Sequence, residues 1–172
     1  MTDIKINNDL LDSTDNRTKL DQLKDFNEIF EFVKYCVSKV FQMNRTGLNL
    51  ILQGMPSNLG AYHVLGSNII VANRYLLEYI KSTYSKEAYN SYVFAVLAHE
   101  YLHSLGIVDE YQVRNLTYKL CLRLFGIDHT TTKFANNPLN AFPHIPMMGN
   151  RNFETEFIQI KKFDDKNVSY IG

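Results

Sequence analysis

An α+β fold is what the patterning of this chain predicts, and three observations carry the prediction. Apolar residues recur every three or four positions over residues 19–42, 74–84, 91–105 and 109–125, the spacing of amphipathic helices. Short alternating runs occupy residues 48–52, 61–65 and 69–71, the spacing of strands. Gly, Pro and Asn separate the two kinds of segment. At 172 residues the chain has the size of one domain with a substantial core. Residues 1–17 are polar and are expected to form a mobile tail, leaving 18–172 as a single domain.

In chain order, Leu20, Leu23, Phe26, Phe30, Val33, Val37 and Val40 form one apolar stripe, so a single helix is expected from about Lys19 to Gln42 with Thr18 as its N-cap. Asn44, Arg45 and Gly47 end it. Leu48, Leu50 and Leu52 alternate with Asn49 and Ile51 as a strand stopped by Gly54 and Pro56. Residues 61–65 and 69–71, separated by Gly66-Ser67-Asn68, read as a hairpin. Asn73 is placed to cap a second helix whose inner side is Tyr75, Leu76, Tyr79 and Ile80. A third helix runs from Glu87 or Ser91 to Leu105. A fourth, from Asp109 to Phe125, carries Val113, Leu116, Leu120 and Leu124 inward and closes at Gly126. The short link at Gly106 makes these last two an antiparallel pair. Beyond Lys133 the periodicity dissolves, and residues 134–153 are expected to be irregular and to form pocket walls. Residues 157–163 read as a late strand.

The third helix carries His99-Glu100-Tyr101-Leu102-His103. Four residues make slightly more than one helical turn, so both imidazoles project from one face about 6 Å apart along the axis. Held so, they can converge on one zinc ion, and Glu100 is placed as general base for a zinc-bound water. Gly106 can turn left-handed and return the chain with Asp109 and Glu110 near the metal. Asp109 is slightly favoured over Glu110 as third ligand by its place after the turn. Its ordinary role would be N-cap, with Gln112 completing a capping box, and that of Glu110 a first-turn acid favoured by the helix dipole. Tyr101, Tyr111, Arg114, His129 and His144 are weaker candidates for donating to an oxyanion. Arg114 is expected to pair with a nearby carboxylate, Tyr101 to be core and His63 to be structural. His129 and His144 are also possible ligands.

Eighteen basic residues balance eighteen acidic ones, so no net field draws the protein to nucleic acid or anionic lipid. No apolar run is long enough to cross a bilayer. The first residues lack an apolar signal core, and Cys36 and Cys121 have no metal or redox spacing. A cytoplasmic protein with two reduced, buried cysteines is expected. Eleven Tyr and eleven Phe without Trp suggest an aromatic-rich core.

The order helix, strand, hairpin, helix, then His99-Glu100-x-x-His103 resembles the zincin metallopeptidases over roughly residues 20–125. The resemblance implies a small twisted, mostly antiparallel sheet packed on helices, with the motif helix at the base of a cleft. It assigns one Zn2+ to His99 and His103 and activation of water to Glu100, with a peptide or protein as substrate. His99-Glu100-x-x-His103-x-x-Gly106-x-x-Asp109 is similar to the extended metzincin motif, where Met147 or Met148 would be the Met beneath the zinc. Minimal gluzincins take a Glu from the following helix, which points to Glu110. The strand at residues 67–73 is the expected free edge for an extended peptide. Two other readings stay open. His99, Leu102, His103 and Gly106 match the ribosomal-RNA maturation endonucleases, though Glu100 replaces their Gly and Asp109 their last His; neutral charge argues against RNA. A non-catalytic zinc module would close the site with a fourth ligand such as His129 or His144.

Overall fold

The computed structural model describes residues 12–145 and 157–164. It is an α+β arrangement around a small mixed four-stranded sheet. Two helices, α1 (Ser13–Gln22) and α2 (Phe26–Phe41), open it and are followed by β1 (Asn49–Gln53), β2 (Ala61–His63) and β3 (Ile69–Asn73). Then come α3 (Arg74–Thr83), α4 (Lys86–Ser104), α5 (Glu110–Phe125), α6 (Thr130–Asn136), the single turn α7 (Pro138–Ala141) and β4 (Phe157–Gln159).

The expected single helix over 19–42 is two. Leu23 is extended, and Asp25 caps α2 by accepting the Glu28 N–H at 2.8 Å while Glu28 accepts the Lys24 N–H at 2.8 Å. This reciprocal arrangement starts a new helix inside a continuous apolar stripe. Thr18 is not a cap: its hydroxyl donates to Thr14 O within α1. Nor do residues 13–17 belong to a tail. Asn16 donates to Leu124 O, and the Arg17 guanidinium donates to Phe125 O, so α1 is pinned to the end of α5.

The sheet order is β2-β3-β1-β4. The 61–73 hairpin forms as expected, with β2 antiparallel to β3, but β3 also pairs parallel with β1, and β4 pairs antiparallel with β1. The expected free edge at 67–73 is therefore an interior strand, and the edge on that side is β2. Asn73 ends β3, caps α3 through the Tyr75 N–H and donates its amide to the carbonyls of Met55, Pro56 and Leu59. One fully buried side chain thus shapes the loop leading to β2.

The core is continuous from α2 through the sheet to α5 and is rich in aromatic pairs, Phe94 on Phe125 and Tyr92 on Phe134 and Phe142 among them. Cys36 and Cys121 are buried and free. Within the segment expected to be irregular, α6 continues to Asn136 and α7 follows it; Met147 and Met148 lie outside the described residues. The run Thr130-Thr131-Thr132 has low helix propensity. It is held by an unusual N-cap, His129, whose Nδ1 accepts the Thr131 N–H while its ring stacks on Phe125 at 4.9 Å.

The β4 end is anchored by a buried ion pair. Asp164 pairs with Lys34, both almost inaccessible, and also accepts the Leu48 N–H at 2.9 Å; Glu31 lies 2.8 Å from the same ammonium. Asp164→Ala leaves a buried ammonium short of a partner and the buried Leu48 N–H without its acceptor, and is expected to cost about 3–5 kcal/mol of unfolding free energy in a urea titration. His129 gives a pH prediction. Burial, helped by Arg17 and Lys133, lowers its imidazole to about 4. An unfolded chain takes up that proton near 6.5, so between about pH 6.5 and 4 the unfolded state binds more protons and stability falls as the pH is lowered, by at most about 1.4 kcal/mol per pH unit. His129→Asn keeps a capping acceptor without the titration, and its urea midpoint is expected to fall less over that range.

Candidate metal centre

The last two turns of α4 carry the motif. From Asn90 to Leu102 nearly every α4 side chain is buried, so the helix is locked in rotation by its neighbours. His99 and His103 sit on its one partly open stripe, ring centroids 5.0 Å apart. Gly106 takes φ +94°, its N–H bonding His103 O, and the chain turns back into α5. This turn delivers Glu110, not Asp109, to the histidines. Glu110 Oε1 lies 3.4 Å from His99 Nε2, and Oε2 lies 3.1 Å from His103 Nε2. These three residues are the one group of potential ligands found among the described residues, their ligand atoms all within 4.8 Å of one another.

Asp109, slightly favoured from sequence, is instead the N-cap of α5, accepting the Gln112 N–H at 2.7 Å. The reason is geometric: a capping carboxylate must fold back over its own first turn, whereas the next residue points out of it. Arg114, one turn on, donates Nε–H to Glu110 Oε1 at 2.7 Å, the carboxylate pairing expected of it. Tyr101 is core, its hydroxyl bonded to the Arg45 backbone. Tyr111 is solvent-exposed. His129 is the α6 cap, and His144 is exposed with its carbonyl bonded to Tyr79; neither joins the ligand group.

The donor set suits a cation. His103 Nδ1 lies 2.8 Å from Ile107 O, which can only accept, so Nδ1 carries the proton. The neutral ring then presents an Nε2 lone pair to a carboxylate oxygen. That acceptor-to-acceptor contact is relieved by a further proton or by a metal ion. Burial, against the pull of Glu110, lowers the His99 pKa and so favours the neutral, ligating ring. At Glu110 burial alone would raise the pKa, but the Arg114 hydrogen bond and the two histidines outweigh it and hold the carboxylate ionised. Two imidazole nitrogens and one carboxylate oxygen are zinc's ordinary ligands, and atoms about 2.0–2.1 Å from a tetrahedral ion lie about 3.3 Å apart. The separations of 3.4 and 3.1 Å, one to each oxygen of Glu110, lie near that spacing, and all the ligand atoms lie within 4.8 Å of one another.

Glu100 occupies the buried side of the same turn. Burial, with Glu110 adding to it, pushes its carboxyl up to about 8, while a hydrogen bond from the His63 main chain opposes the shift. That bond follows from the hairpin register: Val64 N–H bonds Ile69 O across the hairpin, so the alternate His63 N–H turns away from β3 toward α4. The His63 ring donates Nε2–H to Ser67 O and is structural, as its strand position suggested. His63, His99, Glu100, His103, Glu110 and Arg114 all line one cleft of about 530 Å³, walled by α4, α6 and the hairpin. Sequence reasoning did not find the His63 contact, which involves a backbone atom and leaves no residue signature. It did expect pocket walls from residues 134–153, and Phe134, Ala135, Asn136 and Pro138 line the cleft, but as the end of α6 and the start of α7 rather than as irregular chain.

Comparison with known proteins finds no matching family model, curated protein or solved structure.

The geometry separates the two carboxylates in a zinc titration. Glu110→Gln is expected to weaken Zn2+ binding by more than about a hundredfold, beyond the usual effect of an outer partner, while Asp109→Asn, which still caps α5, leaves it nearly unchanged. Competition with a chromophoric chelator measures both.

Proposed function

We propose that the protein is a zinc-dependent peptidase of the zincin type. The observation that carries this reading is the convergence of His99, His103 and Glu110 beside the buried carboxyl of Glu100 in a cleft open to a peptide. The small sheet packed on helices, with the motif helix α4 lining the cleft, supports it as the arrangement that the zincin resemblance implies, although the edge beside α4 is β2 rather than residues 67–73.

One Zn2+ would be held by Nε2 of His99, Nε2 of His103 and a carboxylate oxygen of Glu110. When bound, the ion supplies Lewis acidity toward a water and toward the carbonyl oxygen of the bond to be cut. In its ionised form, which a cation bound beside it would favour against the effect of burial, Glu100 takes a proton from the attacking water as the new C–O bond forms. It returns a proton to the amide nitrogen as the C–N bond breaks, leaving a carboxylic acid and an amine. The His63 main chain, facing the carboxyl from the hairpin, favours its ionised form. His103 holds its ligating tautomer through Ile107 O, and Arg114 steadies Glu110. An extended substrate would lie along the outer edge of β2, its backbone antiparallel or parallel to the strand.

The test is peptide cleavage by zinc-loaded protein against the Glu100→Gln variant, with zinc content measured by elemental analysis. Cleavage is expected to fall by about 10²–10⁴-fold with one zinc per chain retained. Equal cleavage by the variant would end this mechanism, and absence of stoichiometric zinc would end the metal assignment.

A further inference from the structure

The cleft is rich in acceptors and has one permanent cation. Arg114 is the sole Lys or Arg among the described residues that line it. Its side chain is 71% exposed, yet Nε is held on Glu110 Oε1 at 2.7 Å. Neither Nη nitrogen has a hydrogen-bond partner among the described residues. A surface arginine ordinarily loses much rotamer freedom when it binds a ligand; this one is leashed through Nε, so part of that loss precedes binding. The remaining N–H groups form a planar donor set matched to a carboxylate. With a divalent ion held by the histidines, the cleft keeps an excess of positive charge even when Glu100 and Glu110 are both ionised.

We infer that Arg114 makes this cleft selective for peptides carrying a carboxylate close to the bond that is cut, an inference that rests on the peptidase reading. The carboxylate is recognised by the Nη groups while Nε stays on Glu110. It has two possible sources, the C-terminus of the substrate or an Asp or Glu side chain, and the same guanidinium chemistry serves both.

The experiment uses full-length, zinc-loaded protein and a mixed peptide library in three forms: free C-termini, amidated C-termini, and amidated with Asp and Glu replaced by Asn and Gln. Cleavage of the carboxylate-bearing forms is expected to exceed that of the neutral form by roughly tenfold in kcat/KM, mostly through KM, the low end for charge-assisted bonds at a partly solvated site. Preference for the first form alone identifies the C-terminus; preference shared by the second identifies the side chains. In Arg114→Gln, with zinc content checked because Arg114 also steadies Glu110, the preference is expected to vanish. An unchanged preference in that variant, or none in the parent protein while it cleaves, overturns the inference. A second arm needs no turnover: calorimetric binding of succinate to the Glu100→Gln protein, with and without added zinc, is expected to weaken about tenfold when Arg114→Gln is added. Equal binding overturns the carboxylate anchor. Inert protein that still binds succinate through Arg114 shows that the peptidase reading, rather than the anchor, has failed.

Discussion

Everything at the centre depends on α4 being wrapped. Between Asn90 and Leu102 almost all of its side chains are buried, against α1, α2, α3, α5, α6 and β2. A helix that is apolar around most of its circumference can neither roll nor slide without opening voids in close-packed surroundings. The imidazoles of His99 and His103 inherit that rigidity, because they leave the helix where its packed surface first opens. Glu100, one residue on, is rotated into the packed side, which is why a carboxyl there is shut off from solvent more completely than its histidine neighbours. Two adjacent positions thus acquire different environments from helical geometry.

The partners of α4 complete the arrangement from three separate parts of the chain. The Gly106 turn returns Glu110 from α5, the hairpin supplies a main-chain donor, and Asn73 gathers the carbonyls of the loop that leads into that hairpin. The N-terminal helices contribute at a distance: α1 clamps the end of α5, and α2 with the Lys34–Asp164 pair holds the sheet. The site is small, but almost every element has a share in its position.

Local signals in the sequence were legible, and non-local ones were not. Helical spacing placed His99 and His103 on one face, and Gly106 and Gly126 marked the turns that the structure contains. The inner stripe of α5 and the Asn73 cap were likewise readable, because each is a matter of neighbours within one turn. The split between α1 and α2 was present as Asp25-Phe26-Asn27-Glu28, but an unbroken apolar stripe across it spoke louder. Choosing between Asp109 and Glu110 needed to know which residue is the cap, and an Asp followed three positions later by Gln was the available clue. The pairing of β3 with β1, which moves the sheet edge to β2, depends on a parallel contact that no alternation pattern encodes. α6 was obscured because tertiary packing, rather than propensity, holds its threonines in a helix.

The bond between the His63 main chain and Glu100 has an evolutionary corollary. Because the donor is a peptide N–H, the identity of the side chain at that position is free to drift while the tether survives, and proline alone removes it outright. Relatives of this chain could therefore differ at that residue and still share the contact, so a feature of the centre can persist without leaving any invariant letter to mark it.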